Sequence, residues 1–224
     1  MKLMIKKWFP GKVLFYLALA WTGASTVGAQ TASSGIDLFN GKDFTGWTFF
    51  MRSNAAPEKT WSITNGLIHC TGKPAGYLRT EKSFSDYTLT VDWRFVKVTP
   101  KANNTGILVH MQLPEKIWPK CIECQGQDQK QGDFWLHSGA AADGHPSDGK
   151  KSVYVPKTSP TNENPVGEWN TYQVITHGNT VEIIVNGKSM NKISGANISS
   201  GFIGIQCEGA EIEVRKIYLE PKSE

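Results

Sequence analysis

Residues 87–98 read Tyr-Thr-Leu-Thr-Val-Asp-Trp-Arg-Phe-Val-Lys-Val. Leu89, Val91, Trp93 and Phe95 occupy alternate positions, with Thr90, Asp92 and Arg94 between them. In extended backbone, successive side chains point to opposite faces, so this pattern gives a strand with one apolar and one polar face. A helical period would scatter both sets around an axis. Working outward, similar patterns recur at 60–64, 66–71, 106–112, 120–125, 132–137, 170–177, 180–185, 202–208 and 211–220. Asn65-Gly66, Gly178-Asn179, Asn186-Gly187 and Gly209-Ala210 punctuate them as turns. No ten-residue segment carries a 3.6 period. Many short strands joined by Gly/Asn turns predict an all-β sandwich or barrel.

The N-terminus reads differently. Lys2, Lys6, Lys7 and Lys12 precede an apolar run at 13–21, and Val27-Gly28-Ala29 follows. That order predicts a secretory signal over 1–29, a flexible leader at 30–35 and a single domain over 36–221. The apolar run is too short for a bilayer core of about 30 Å, so no membrane span is expected in the mature chain. The predicted location is the periplasm or the cell exterior. The net charge is +4, and four of the lysines lie in the signal, which leaves a near-neutral domain without a basic patch for nucleic acid. Oligomeric state is left open. Four cysteines, Cys70, Cys121, Cys124 and Cys207, read as structural, free or bridged. Cys121-x-x-Cys124 has no second such pair to complete a metal site.

Alternation also sorts candidate site residues. Ile107, Val109 and Met111 are expected in the core, with Asn104, Gly106, Leu108 and His110 facing out. Ile122 and Cys124 point in, so Glu123 and Gln125 point out. Phe134 and Leu136 point in, so Trp135 and His137 point out. Ile203, Ile205 and Cys207 point in, so Gln206 and Glu208 point out. With Asp92 and Arg94, the outward set mixes carboxylates, imidazoles, amides and an indole. Hydroxyls need such polar partners, and sugar rings stack on aromatics, so carbohydrate is the expected ligand. Tyr77 and Arg79 flank Leu78 on a further short strand, where Arg79 is a candidate for a substrate oxygen. The strand at 122–126 carries one carboxylate, so Glu123 is expected to act with a histidine rather than as half of a carboxylate pair. Residues 139–164 form a long Pro-containing loop. There Asp143, His145 and Asp148 have metal-ligating types but no recognisable ligand spacing, so no cofactor is implied and no divalent metal is assignable.

Ordered motifs connect these pieces: Asp37-Leu-Phe-Asn-Gly-Lys-Asp-Phe-Thr-Gly-Trp47, Trp61-Ser-Ile-Thr-Asn-Gly-Leu67, Tyr77-Leu-Arg-Thr80 and Leu89-x-x-Asp-Trp-Arg94. Asn104-Thr-Gly-Ile107, Glu123-x-Gln125, Gly167-Glu-Trp-Asn170 and Gly201-x-Ile-Gly-Ile-Gln206 follow. The set resembles the domain of unknown function 1080 family, also called the 3-keto-disaccharide hydrolase domain. The resemblance implies a concanavalin A-like jelly-roll sandwich of two antiparallel sheets, bacterial export and cleavage of 3-keto-glycosides by proton abstraction and β-elimination. It places Glu123 and Gln125 in the pocket. On that pattern Glu123 or His137 is the base and Arg94 or Arg79 stabilises the enolate. Asn104, His110, Gln125, Gln206 and Asp92 contact the sugar, and Trp135 stacks on it. Residues 112–120 depart from the charged pattern of the family. Two other readings remain: a non-catalytic carbohydrate-binding module, and an interaction domain presenting Trp118 or Trp169.

Overall fold

The computed structural model describes residues 35–100 and 103–222; the expected signal lies outside them. Two antiparallel sheets face each other. One runs β13 (Lys188–Ile193), β12 (Thr180–Val185), β11 (Asn170–His177), β6 (Tyr87–Phe95), β15 (Ile212–Pro221), β4 (Leu67–Cys70), β3 (Trp61–Thr64), with β1 (Ile36–Asp37) paired to β15. The other runs β10 (Val153–Val155), β9 (Phe134–His137), β8 (Cys121–Gln125), β7 (Gly106–Met111), β14 (Phe202–Cys207), β5 (Gly76–Thr80), β2 (Trp47–Met51). This is the jelly-roll sandwich expected. No helix among the described residues is long and apolar enough to cross a membrane.

The core sits where alternation puts it. Leu89, Val91, Trp93 and Phe95 meet Ile107, Val109, Ile122, Cys124, Phe134, Leu136, Ile203 and Ile205 in one apolar layer. Trp93 is its hub: its ring packs edge-on to Phe95 at 5.0 Å and to Tyr172 at 5.5 Å. Asn65-Gly66 and Asn186-Gly187 close the β3–β4 and β12–β13 hairpins. Both residues of each pair have positive φ, as a type I′ turn requires.

The expected faces fail at one place. His110 has φ 52°, and the β7–β14 register slips between Met111 and Leu108. One extra residue is therefore taken up in β7, a bulge that reverses the faces beyond it. Met111, expected inside, packs with Leu108, Tyr77 and Cys121 on the outer face. His110, expected outside, is buried with its ring 6.2 Å from Tyr87 and Nδ1 3.3 Å from the Ile198 carbonyl. Burial holds its pKa below the ordinary imidazole value.

Candidate active site

The outer face of the seven-stranded sheet carries the site. Pairing sets Arg79, Gly204, Leu108, Glu123 and Trp135 in one row across β5, β14, β7, β8 and β9. The next row holds Tyr77, Gln206, Gly106 and Gln125. An open cleft of about 240 Å³ lies over β7–β9, lined by Asn104, Trp118, Glu123, Gln125, Gln127, Trp135, His137, Ser152 and Glu208.

Glu123 is 2% exposed. Its Oε2 accepts from His137 Nε2 at 2.6 Å, and His137 Nδ1 lies 2.7 Å from Ser152 Oγ. An ionised carboxylate can only accept, so with Glu123 ionised it is Nε2–H that donates to it, while Nδ1 faces the serine hydroxyl. Trp135 lies parallel to the imidazole, with centroids 6.4 Å apart and 16° between planes. The other carboxylate oxygen, Oε1, is buried and makes no hydrogen bond to the protein. It has room because residue 106 is glycine: a Cβ there would sit 2.9 Å from Oε1 and 3.0 Å from Glu123 Cγ.

A second carboxyl stands in the cleft. Glu208 Oε2 accepts from Asn104 Nδ2 at 2.8 Å. Burial, and next the negative charge of Glu123, push the Glu208 pKa up to about 7. Glu208, already in the outward set, thus shares the pocket with the Glu123–His137 pair. Gln125 Oε1 is occupied by the Gln127 N–H at 2.7 Å. Asn104 Oδ1 and both side-chain polar atoms of Gln206 are buried without protein partners. Buried polar atoms of this kind are normally satisfied, so these acceptors and donors suit a hydroxylated ligand.

A strap formed by residues 112–120 closes the end of this face over β5 and β14. Glu115 Oε1 accepts from Arg79 Nε at 2.6 Å, the Trp118 carbonyl accepts from Ser138 Oγ at 2.8 Å, and Gln112 Nε2 donates to the Ser200 carbonyl at 2.6 Å. Trp118 covers the Tyr77–Leu108–Met111 cluster and forms one cleft wall.

Of the ten residues expected to act on substrate, Asn104, Glu123, Gln125, Trp135 and His137 line the cleft; Gln206 does not line it but sits on β14 opposite Tyr77, in the row that reaches Gln125 across Gly106. Arg79 shares the row but lies three strands from Glu123, about 14 Å at ordinary strand spacing, and is engaged by Glu115. Three residues are elsewhere. His110 is turned inward by the bulge. Asp92 and Arg94 belong to β6 in the other sheet and face away from the cleft. Asp92 accepts from Thr171 at 2.7 Å, and Arg94 pairs with Glu213 at 2.7 Å while lying 4.6 Å from the Trp169 ring. Arg215 lies 4.5 Å from the same ring, so the partly exposed Trp169 carries two guanidinium contacts. Alternation missed Trp118, Ser152 and Gln127, which come from loops. Glycine at 106 in the Asn104-Thr-Gly-Ile107 motif was the one available signal for the space beside Glu123.

No group of three or more His, Cys, Asp or Glu side chains among the described residues is arranged to hold a metal. In the 139–164 loop, Asp148 instead caps the N–H groups of Lys150 and Lys151, and Asp143 meets Ser194 at 3.2 Å.

A jelly-roll sandwich hosts many functions, and a polar, aromatic-walled cleft on one outer face is an arrangement that can take a carbohydrate. The chain belongs to the 3-keto-α-glucoside-1,2-lyase-like domain family, whose model matches residues 34–220. Among solved structures it is similar to a provisionally assigned glycosyl hydrolase from Parabacteroides distasonis: 23% identity, 83% of this chain and 93% of that one, TM-score 0.60. A carbohydrate-binding module from Bacillus subtilis shares 14% identity over 77% of this chain and 93% of its own, with TM-score 0.56. A β-glucanase from Bacillus licheniformis shares 12% over 84% and 98%, with TM-score 0.53. At these identities the likeness is one of fold. No curated protein matches the chain by sequence.

Proposed function

We propose that the protein is an exported enzyme that cleaves 3-keto-glycosides by elimination at C1–C2, followed by hydration. The observation that carries this reading is the buried, unpartnered Oε1 of Glu123, backed by the His137–Ser152 relay and set in the same cleft as a carboxyl held to about 7. A ketone at C3 acidifies the C2 hydrogen. Glu123 Oε1 takes that proton, and the electron pair enters the C3 enolate. His137 steadies the carboxylate through Oε2. The enolate collapses to a C1=C2 double bond as the C1–O bond breaks, and the leaving oxygen takes the Glu208 proton. Water then adds at C1, giving a proton to Glu208, while Glu123 returns its proton to C2. The sum is hydrolysis. The route requires a base, an acid for the leaving oxygen and donors for the enolate oxygen. The Asn104, Gln125 and Gln206 amides orient hydroxyls, and Trp118 and Trp135 wall the ring. Export rests on the 1–29 pattern, and a divalent metal has no ligand set among these residues.

Glu208 also favours a second reading, direct hydrolysis of ordinary glycosides by two carboxyls. A chromogenic 3-keto-glucoside beside its unoxidised parent separates the two. Release from the keto substrate alone, reduced at least ~10²-fold in Glu123→Gln, supports elimination. Equal release from both favours direct hydrolysis, and saccharide binding without release from either makes the protein a binding module.

A further inference from the structure

We propose that Cys70 and Cys207 form a disulfide that ties the two sheets together. Cys70 ends β4 in one sheet, and Cys207 ends β14 in the other. Both lie in the core between the sheets, at 0% and 1% exposure. Both sulfurs rest on the same turn: the Gly72 N–H donates to Cys70 Sγ at 3.4 Å, and the Cys207 thiol donates to the Pro74 carbonyl at 3.2 Å. In this structure the two are free thiols, each seated on that turn. The turn itself is pinned. The Gly209 N–H donates to the Gly72 carbonyl at 2.7 Å, and a Cβ on Gly72 would strike the Ala210 carbonyl oxygen at 2.5 Å. The segments that carry the two cysteines are therefore locked side by side. Cys121 and Cys124 have no comparable partner. They lie on opposite faces of β8, one in the Tyr77–Leu108–Met111 cluster and the other in the main core.

The bridge forms by exchange with a disulfide oxidant of the kind present in compartments outside the cytosol. One cysteine thiolate attacks the oxidant and releases one of its thiols. The other attacks the mixed disulfide and releases the second. Cys70 and Cys207 together lose two protons and two electrons, and the oxidant disulfide gains them as two thiols. The cross-link closes a loop spanning most of the domain, which favours the folded state by restricting the unfolded chain. It also anchors the end of β14, one residue before Glu208, and it stands whether or not the substrate assignment does.

The test is to reduce and unfold the protein, refold it in glutathione buffers from reducing to oxidising, trap with acid, alkylate and map by mass spectrometry. A sample exported to the periplasm of a bacterial host is mapped alongside. The expected result is one linked peptide joining Cys70 to Cys207, with Cys121 and Cys124 alkylated. Tm should rise by roughly 10 °C on oxidation. Both the link and the rise should vanish in Cys70→Ala and in Cys207→Ala, and persist in the Cys121→Ala/Cys124→Ala double variant. Four alkylated cysteines in the most oxidising buffer and in the exported sample, or a cross-link containing Cys121 or Cys124, would overturn the proposal.

Discussion

At the residue scale, the site depends on where Glu123 Oε1 is allowed to sit. Gly106 is the neighbour that makes the space, and its backbone does not need glycine's left-handed freedom. Gly106→Ala should therefore still fold, with Tm lowered by roughly 5 °C through crowding of a buried site. It should nevertheless lose activity about 10-fold or more, because the new methyl pushes on the carboxylate from under 3 Å. Steady-state kinetics on the keto substrate, beside a thermal melt, checks this. Glu208 makes a prediction in pH. Its folded-state pKa, about 7, is above the ordinary carboxyl value of 4.5. The folded protein thus prefers the protonated form, and stability is lost as pH rises from about 4.5 through 7. Glu208→Gln should remove that loss. Allowing for partial solvent screening, the gain is on the order of 1 kcal/mol at pH 8 and little at pH 5, read by denaturant titration. If Glu208 is the acid, the same variant also loses the fall in activity above about pH 7. Glu123, Gln125, Trp135 and His137 were legible in the sequence because strands alternate. Ser152 and Trp118 were not, because loop residues obey no period and reach the cleft only through the tertiary fold.

At the element scale, alternation assigns a face but not a sheet. Asp92 and Arg94 sit on a well-formed polar face, yet that face belongs to β6 in the sheet away from the cleft. Likewise, nothing in the 106–112 pattern announces the bulge that turns His110 inward: histidine is among the non-glycine residues that tolerate the left-handed region, but that tolerance alone does not place a bulge. Because burial lowers the His110 pKa, protonation opposes folding, and stability contributed at neutral pH is lost as pH falls below about 6.5. His110→Asn, which tolerates the same backbone, should flatten that decline in pH-dependent unfolding. β13 is not legible in the sequence because Lys-Ser-Met-Asn-Lys-Ile lacks clean alternation, although Met190, Asn191 and Ile193 are buried. The strap at 112–120 gives a functional test at this scale. Glu115→Ala removes the Arg79 pair, an effect on stability of under about 1 kcal/mol at this exposure. It should raise KM by loosening the Trp118 wall while leaving kcat near the parent value.

At the scale of the whole molecule, one apolar layer fixes two sheets whose outer faces differ in kind. One outer face carries charge pairs such as Arg94–Glu213 and Asp92–Arg215. The other carries buried carboxyls, amides and aromatics. This asymmetry follows from placement: Glu123, Gln206 and Asn104 come from segments distant in sequence that meet only because β7 lies between β8 and β14. Trp93 sits at the centre of the layer, so Trp93→Ala should destabilise the fold by roughly 3–5 kcal/mol, measured by chemical denaturation. The sandwich itself was readable from strand patterns and turn dipeptides. The strand order was not, because neighbours such as β6 and β15 are brought together by long-range packing.

The central claim is that Glu123 removes the C2 proton of a 3-keto sugar. Its most direct test uses a 3-keto-glucoside deuterated at C2, with product and recovered substrate followed by mass spectrometry and NMR. Release from the deuterated substrate should be slower than from the parent and deuterium should pass to water, with neither event in Glu123→Gln. Release at an undiminished rate with deuterium retained at C2 would contradict it.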